Sequence, residues 1–266
     1  CHGWPQLLPG LWPRGNPGFQ QLIKQLQPWC AALQWIRGFE LETHRARGYI
    51  LEATGNYEEA IGEYQAAIAI NPNIADLYLA KGRNYRTLGS YVEAVDAFTR
   101  ADALNPQDPN PDLLLSRTYA TVGEYGKAMQ FAESAVANNP ADTNLRGNYG
   151  VMLYRNAYWP EAVQELSYVV KGGLSTDGNE MEVINLTPDS PRIAEYYFTY
   201  ALALARIDQC GEALQIAQLI ISRIPADELA VDNANEVTNR CQQNLNAPLS
   251  TPTVESTPEA EATPTP

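Results

Sequence analysis

His2, His44, Cys1, Cys30, Cys210 and Cys241 are the side chains of this sequence with the most chemistry to offer, two imidazoles and four thiols. A zinc site needs such ligands clustered at short, regular spacing, and no cluster of that kind occurs. Neither histidine has a fixed partner in the sequence that would make it the base of a nucleophile pair. No glycine-rich phosphate loop opens a helix. The stretch "STDGNE" from Ser175 supplies oxygen atoms but lacks the alternating acids of an EF-hand loop. The carboxylates are scattered over helices, where a solvated face is the ordinary state. The expectation is a chain with no catalytic residues, no metal site and no cofactor, and not an enzyme.

Bulk properties exclude further classes. The formal net charge of -13 repels phosphate, so nucleic acid is not an expected partner, and neither is a purely electrostatic hold on an anionic membrane. No run of about eighteen uncharged apolar residues is present, so no transmembrane helix is expected. The first residue is Cys1 rather than Met, which suggests a processed chain or a fragment.

The elements that would position any site follow from a strict period. Gly55, Gly89 and Gly123 are 34 residues apart, and so are Tyr57, Tyr91, Tyr125 and Trp159. Ala60, Ala94, Ala128 and Ala162 keep the step, as do Pro72, Pro106 and Pro140. A period of this length means stacked supersecondary units. Each unit reads as two helices. The first ends at a glycine, which takes a left-handed C-cap without steric cost. The second ends before Asn-Pro, since proline cannot continue the helical ladder.

On these residues the chain resembles the tetratricopeptide repeat (TPR) family. The second unit matches its pattern through Tyr78, Gly82, Tyr85, Ala94, Phe98, Ala101 and Pro106. The first has Gly48, Ala60, Tyr64, Ala67 and Pro72 but departs at His44 and Arg47. The third keeps Leu115, Tyr119, Ala128, Ala135 and Pro140, and the fourth Tyr149, Gly150 and Ala162. The resemblance implies an all-α fold, a right-handed superhelix (α-solenoid) of about five helix-turn-helix repeats with a capping helix at the C-terminal end. The expected organisation is a Trp-rich arm and helix over 1–40, repeats one to four over 41–171 and an insertion loop over 172–193. Repeat five follows over 194–227, a capping helix over 228–246 and a Thr/Pro-rich acidic tail over 247–266.

The resemblance also implies a site. In the family, fixed first-helix positions line a concave groove, and here they carry Arg45, Tyr49, Arg83, Arg86, Arg117, Tyr154, Arg155 and Arg206. Glu42, Glu52, Asp76 and Glu195 fall in the same set. The groove is therefore expected to be mildly cationic, with arginine forks able to clamp carboxylates of an extended peptide. The alternative is a mixed, solvated face. The Lys/Asn clamp of chaperone-docking members is not reproduced, since Asn148 stands alone.

Stacking of units also brings the turn of repeat five toward the cap helix, so Cys210 and Cys241 are expected to form a disulfide, the alternative being two small buried hydrophobes. Cys1 either bridges to Cys30 or carries a lipid, as in a mature bacterial lipoprotein; it cannot do both. Only in the second case is a membrane partner expected. Trp4, Trp12, Trp29 and Trp35 mark the arm as a cap of the first repeat or as material for self-association. The tail resembles an exported stalk or a plain disordered segment; in the first case Thr251, Thr253, Thr257, Thr263 and Thr265 are candidate O-glycan sites. Asn185-Leu186-Thr187 is a sequon weakened by Pro188.

Two functions fit. One is an exported, non-catalytic interaction or structural protein that self-associates end to end into an oligomer or filament through arm and tail. The other is a cell-surface adaptor that binds an acidic peptide of another protein in its groove. Both are extracytoplasmic, and in both the partner is protein.

Overall fold

The structure is a computed structural model and describes residues 36–246. The expectations placed on Trp4, Trp12, Trp29, Trp35, Cys1, Cys30 and the tail threonines lie outside the described residues. The fold is an all-α helical-repeat solenoid with eleven helices among the described residues. They fall into two compact units divided after Ile184.

In the first unit α1 spans 36–53, followed by α2 (Tyr57–Ile70), α3 (Ala75–Thr87), α4 (Tyr91–Leu104) and α5 (Pro109–Thr121). Then come α6 (Tyr125–Asn138), α7 (Thr143–Arg155) and α8 (Trp159–Lys171). A short hairpin closes the unit, β1 (Gly173–Leu174) antiparallel to β2 (Glu180–Met181) with Gly173 opposite Met181. α1 therefore starts before the repeat boundary expected at residue 41, and the insertion is in part an ordered β-hairpin.

α3 packs on α4, α5 on α6 and α7 on α8 as helical hairpins, while α2 on α3, α4 on α5 and α6 on α7 join successive hairpins. The period works through one close approach per hairpin. A Cβ built on Gly82 would lie 2.5 Å from the Phe98 ring, one on Gly48 2.7 Å from the Tyr64 ring, and one on Gly150 2.6 Å from Leu166. A bare backbone on the first helix thus receives a large side chain from the second. In the third repeat the same two positions hold Ser116 and Ala132, so a larger residue on one helix is matched by a smaller one on the other.

The second unit contains α9 (Pro191–Arg206), α10 (Cys210–Arg223) and α11 (Glu228–Asn246), each packed against the other two. α9 begins a few residues before the boundary expected at 194. Nearly every α9 residue from Ala194 to Ala205 is buried, as expected of a helix apolar all round. Cys210 and Cys241 form a disulfide between α10 and α11, with Cα atoms 5.5 Å apart.

Candidate functional site

The groove side of the first two repeats holds an open cavity of about 430 Å³. α1 contributes Glu42, Arg45, Ala46 and Tyr49, α2 contributes Tyr64, and α3 contributes Asp76, Leu77, Leu79, Ala80 and Arg83. Helical periodicity explains the set. Residues 42, 45, 46 and 49 lie on one face of α1, and 76, 79, 80 and 83 lie on one face of α3. Stacking of the first two hairpins turns those faces toward each other.

The floor is apolar. Leu77, Leu79 and Ala80 are buried, and Tyr64 lies under α1 beside Gly48. The Tyr64 hydroxyl donates to Glu52 Oε2 at 2.8 Å. Burial first, and then this hydrogen bond to a carboxylate, push the phenol well above its ordinary value. The rim is ionic. Arg45 lies 3.8 Å from Glu42 and 3.9 Å from Asp76, and Arg83 Nε lies 3.6 Å from Glu52. These separations exceed those of a direct hydrogen bond. The arginines are held in place by charge while their N–H forks keep directional capacity.

The structure thus brings together Arg45, Tyr49 and Arg83 of the expected groove set, with Glu42 and Asp76. Among the lining residues the charges balance, two of each sign, rather than sum to a cationic patch. Arg86 on α3, Arg117 on α5, and Tyr154 and Arg155 on α7 do not line it. Arg155 lies over the Tyr125 ring at 5.8 Å. Arg206 and Glu195 belong to the second unit, where Glu195 pairs with Arg192 one helical turn away. Sequence reasoning missed the floor, Ala46, Leu77, Leu79, Ala80 and Tyr64. The signal was present in part: Ala46 shares a face of α1 with Arg45, and Leu79 and Ala80 share a face of α3 with Arg83, whereas Tyr64 comes from α2.

A second polar cluster was also missed. Arg146 of α7, only 3% exposed, donates through Nε to the Pro140 carbonyl at 2.8 Å and through Nη1 to Glu165 at 3.0 Å. Its remaining nitrogen donates to Asp177 at the tip of the β-hairpin, and its guanidinium lies 5.3 Å over the Tyr168 ring. Hydrogen bonds from Ser175 and then Arg146 hold the Asp177 carboxyl well below the usual range. Burial pushes that of Glu165 up despite Arg146. The cluster fastens the insertion to α7 and α8.

Among the described residues no helix is long and apolar enough to cross a membrane. Two tetratricopeptide-repeat family profiles match the chain, over residues 45–109 and 85–148. No curated protein matches the sequence. Among solved structures, the chain is similar to YrrB, described as a TPR protein with an unusual peptide-binding site. The identity is 20%, over 71% of this chain and 88% of that one, with a TM-score of 0.54. A tetratricopeptide repeat protein from Parabacteroides merdae is 16% identical over 77% of this chain and 75% of its own, with a TM-score of 0.61. MamA 41-end from Desulfovibrio magneticus RS-1 is 15% identical over 78% and 98%, with a TM-score of 0.53. At these identities the likeness concerns the fold.

Proposed function

The chain is a tetratricopeptide-repeat protein, and on that premise we propose that it is a protein-interaction scaffold whose groove over α1–α3 grips an extended segment of a partner protein. Repeats of this family are in general non-catalytic interaction modules. The observation that carries the reading is the convergence of Arg45, Tyr49 and Arg83 on one open cavity with an apolar floor. An extended peptide presents backbone and side chains along such a face, and arginine forks bind its carboxylates in two-point fashion. The test is capture of binding partners by the full chain and by its R45E/R83E variant. Both arginines are about half exposed, so the fold should survive. A loss of capture of at least roughly tenfold is expected; an unchanged partner set would overturn the reading.

A second reading, self-association, has one observation in its favour. Residues 50, 84, 118 and 152 are one repeat apart. Asn84, Thr118 and Met152 are buried, whereas Ile50 is 60% exposed. Ile36, on the same helix, is exposed as well. Among the described residues no helix precedes α1 on this face, whereas α3, α5 and α7 each pack against a preceding helix. Sedimentation at rising concentration should show assembly that Ile50→Glu abolishes; an unaltered monomer throughout would rule it out. Placement outside the cytoplasm is part of the proposal too, and the Cys210–Cys241 bridge supports it, since such bonds persist in oxidising compartments. Thiol labelling of protein isolated without reductant would find both cysteines blocked; free thiols would count against it.

A further inference from the structure

Building on the groove reading, we infer that the α1–α3 cavity anchors one apolar side chain of the partner segment, flanked by an acidic residue on one side and a basic residue on the other. The floor favours the apolar anchor. Ala46, Leu77, Leu79 and Ala80 offer no hydrogen-bonding side-chain groups; of the two lining tyrosines, the Tyr64 hydroxyl is already given to Glu52 and Tyr49 is exposed at the opening. A polar side chain placed there loses water without gaining a partner, whereas an aliphatic or aromatic one gains by leaving water.

The rim decides the flanking charges. Glu42 and Arg45 from α1 and Asp76 and Arg83 from α3 line the opening, two charges of each sign. An all-acidic segment meets the arginines but also Glu42 and Asp76, which are 64% and 72% exposed and have no hydrogen bond within the described residues. An all-basic segment meets the opposite conflict. A segment of mixed sign exchanges the ionic contacts of 3.6–3.9 Å for direct hydrogen bonds on both sides, with no net charge buried. The exposed Tyr49 ring beside the opening suits the basic residue, since a cation is attracted to an aromatic face.

Among the described repeats of the first unit the charged columns do not recur. Along the array the column of Glu42 and Asp76 continues as Asn110 and Asn144, and that of Arg45 as Leu79, Leu113 and Gly147. Among the described repeats of the first unit, only the first pair of hairpins therefore carries both signs in these two columns. This cavity therefore sets which stretch of the partner sits where.

The test is selection of a random dodecapeptide display library on the immobilised full chain, followed by binding of the selected peptides to variants. The expected result is enrichment of an apolar residue within two positions of one acidic and one basic residue. Ala46→Phe, which fills the cavity from an exposed position, should weaken those peptides at least tenfold. Asp76→Lys should shift selection toward acidic peptides. Selected peptides that need Arg45 and Arg83 but are uniformly acidic, or that bind Ala46→Phe unchanged, would overturn the anchor and leave the groove reading standing. No enrichment, or peptides indifferent to R45E/R83E, would remove both.

Discussion

At the scale of single residues, the fourth position of each repeat shows how far this chain departs from its own pattern. Where a large apolar or aromatic side chain is expected, successive repeats place His44, Tyr78, Asp112 and Arg146. Each polar one is answered by its surroundings: His44 Nδ1 meets Glu63 at 2.5 Å, and Arg146 meets Glu165 and Asp177. Among the described residues no cation pairs with Asp112. It is 3% exposed and accepts from Ser134 at 2.6 Å. Burial pushes its carboxyl up, and the Ser134 hydrogen bond offsets this only in part. A carboxyl raised in the folded state binds its proton more tightly there than in the unfolded chain. Its contribution to stability therefore falls as pH rises from the ordinary carboxylate range through the raised folded value, and stays low above it. Asp112→Asn keeps an acceptor for Ser134 and removes the buried charge. It should raise the melting temperature at neutral pH and flatten that part of the pH profile, as read by thermal unfolding between about pH 4 and 8. A variant less stable than the parent at pH 7 would show that the charge is favourable.

At the scale of helices, the turn between the two helices of each repeat is where sequence and backbone meet most directly. Gly55, Gly89 and Gly123 adopt φ of +82°, +78° and +84°. One repeat later the same place holds Ala157 at φ +64°, and the corresponding turn of repeat five holds Asp208 at +60°. The fold imposes the left-handed conformation whether or not glycine is there, because the ends of the two helices leave no other path. For alanine it costs about 1 kcal/mol. Ala157→Gly should therefore stabilise the first unit by about that amount. Chemical denaturation of the two forms decides it, and a lower midpoint for the glycine form would refute the strain. Asp208 differs, since a short polar side chain tolerates this region better.

At the scale of the whole molecule, a repeat array is stabilised by neighbour-to-neighbour packing, so its parts need not unfold together. The Cys210–Cys241 bridge closes a loop of 31 residues within the second unit. In the chain-entropy account such a loop restrains the unfolded state by about 3–4 kcal/mol. Replacing both cysteines by serine should lower the stability of α9–α11 by about that much while leaving the first unit nearly unchanged. Hydrogen exchange resolved by segment would show faster exchange in α10 and α11 alone; uniform acceleration from α1 to α11 would mean that the array unfolds as one.

Helix hairpins, their period and their order were legible in the residues themselves. Gly89 ends α3, Asn105-Pro106 ends α4, and the alanine and aromatic columns mark which faces meet. These are local effects: a C-cap conformation, a missing amide donor and a 3.6-residue face act over a few residues and survive without knowledge of the rest. The pairing of Cys210 with Cys241 followed from the same stacking logic. The composition of the site did not. That Arg45 faces Asp76, that Leu77 and Leu79 floor the opening, and that Arg146 reaches Asp177 depend on how faces some 30 residues apart in the chain are set against each other. Whether a charge is buried, paired or open is a property of that placement. Asp112, Arg146 and Arg83 read alike as charged residues on a helix, and packing alone made the first a buried acid, the second a fastener and the third the rim of a cavity.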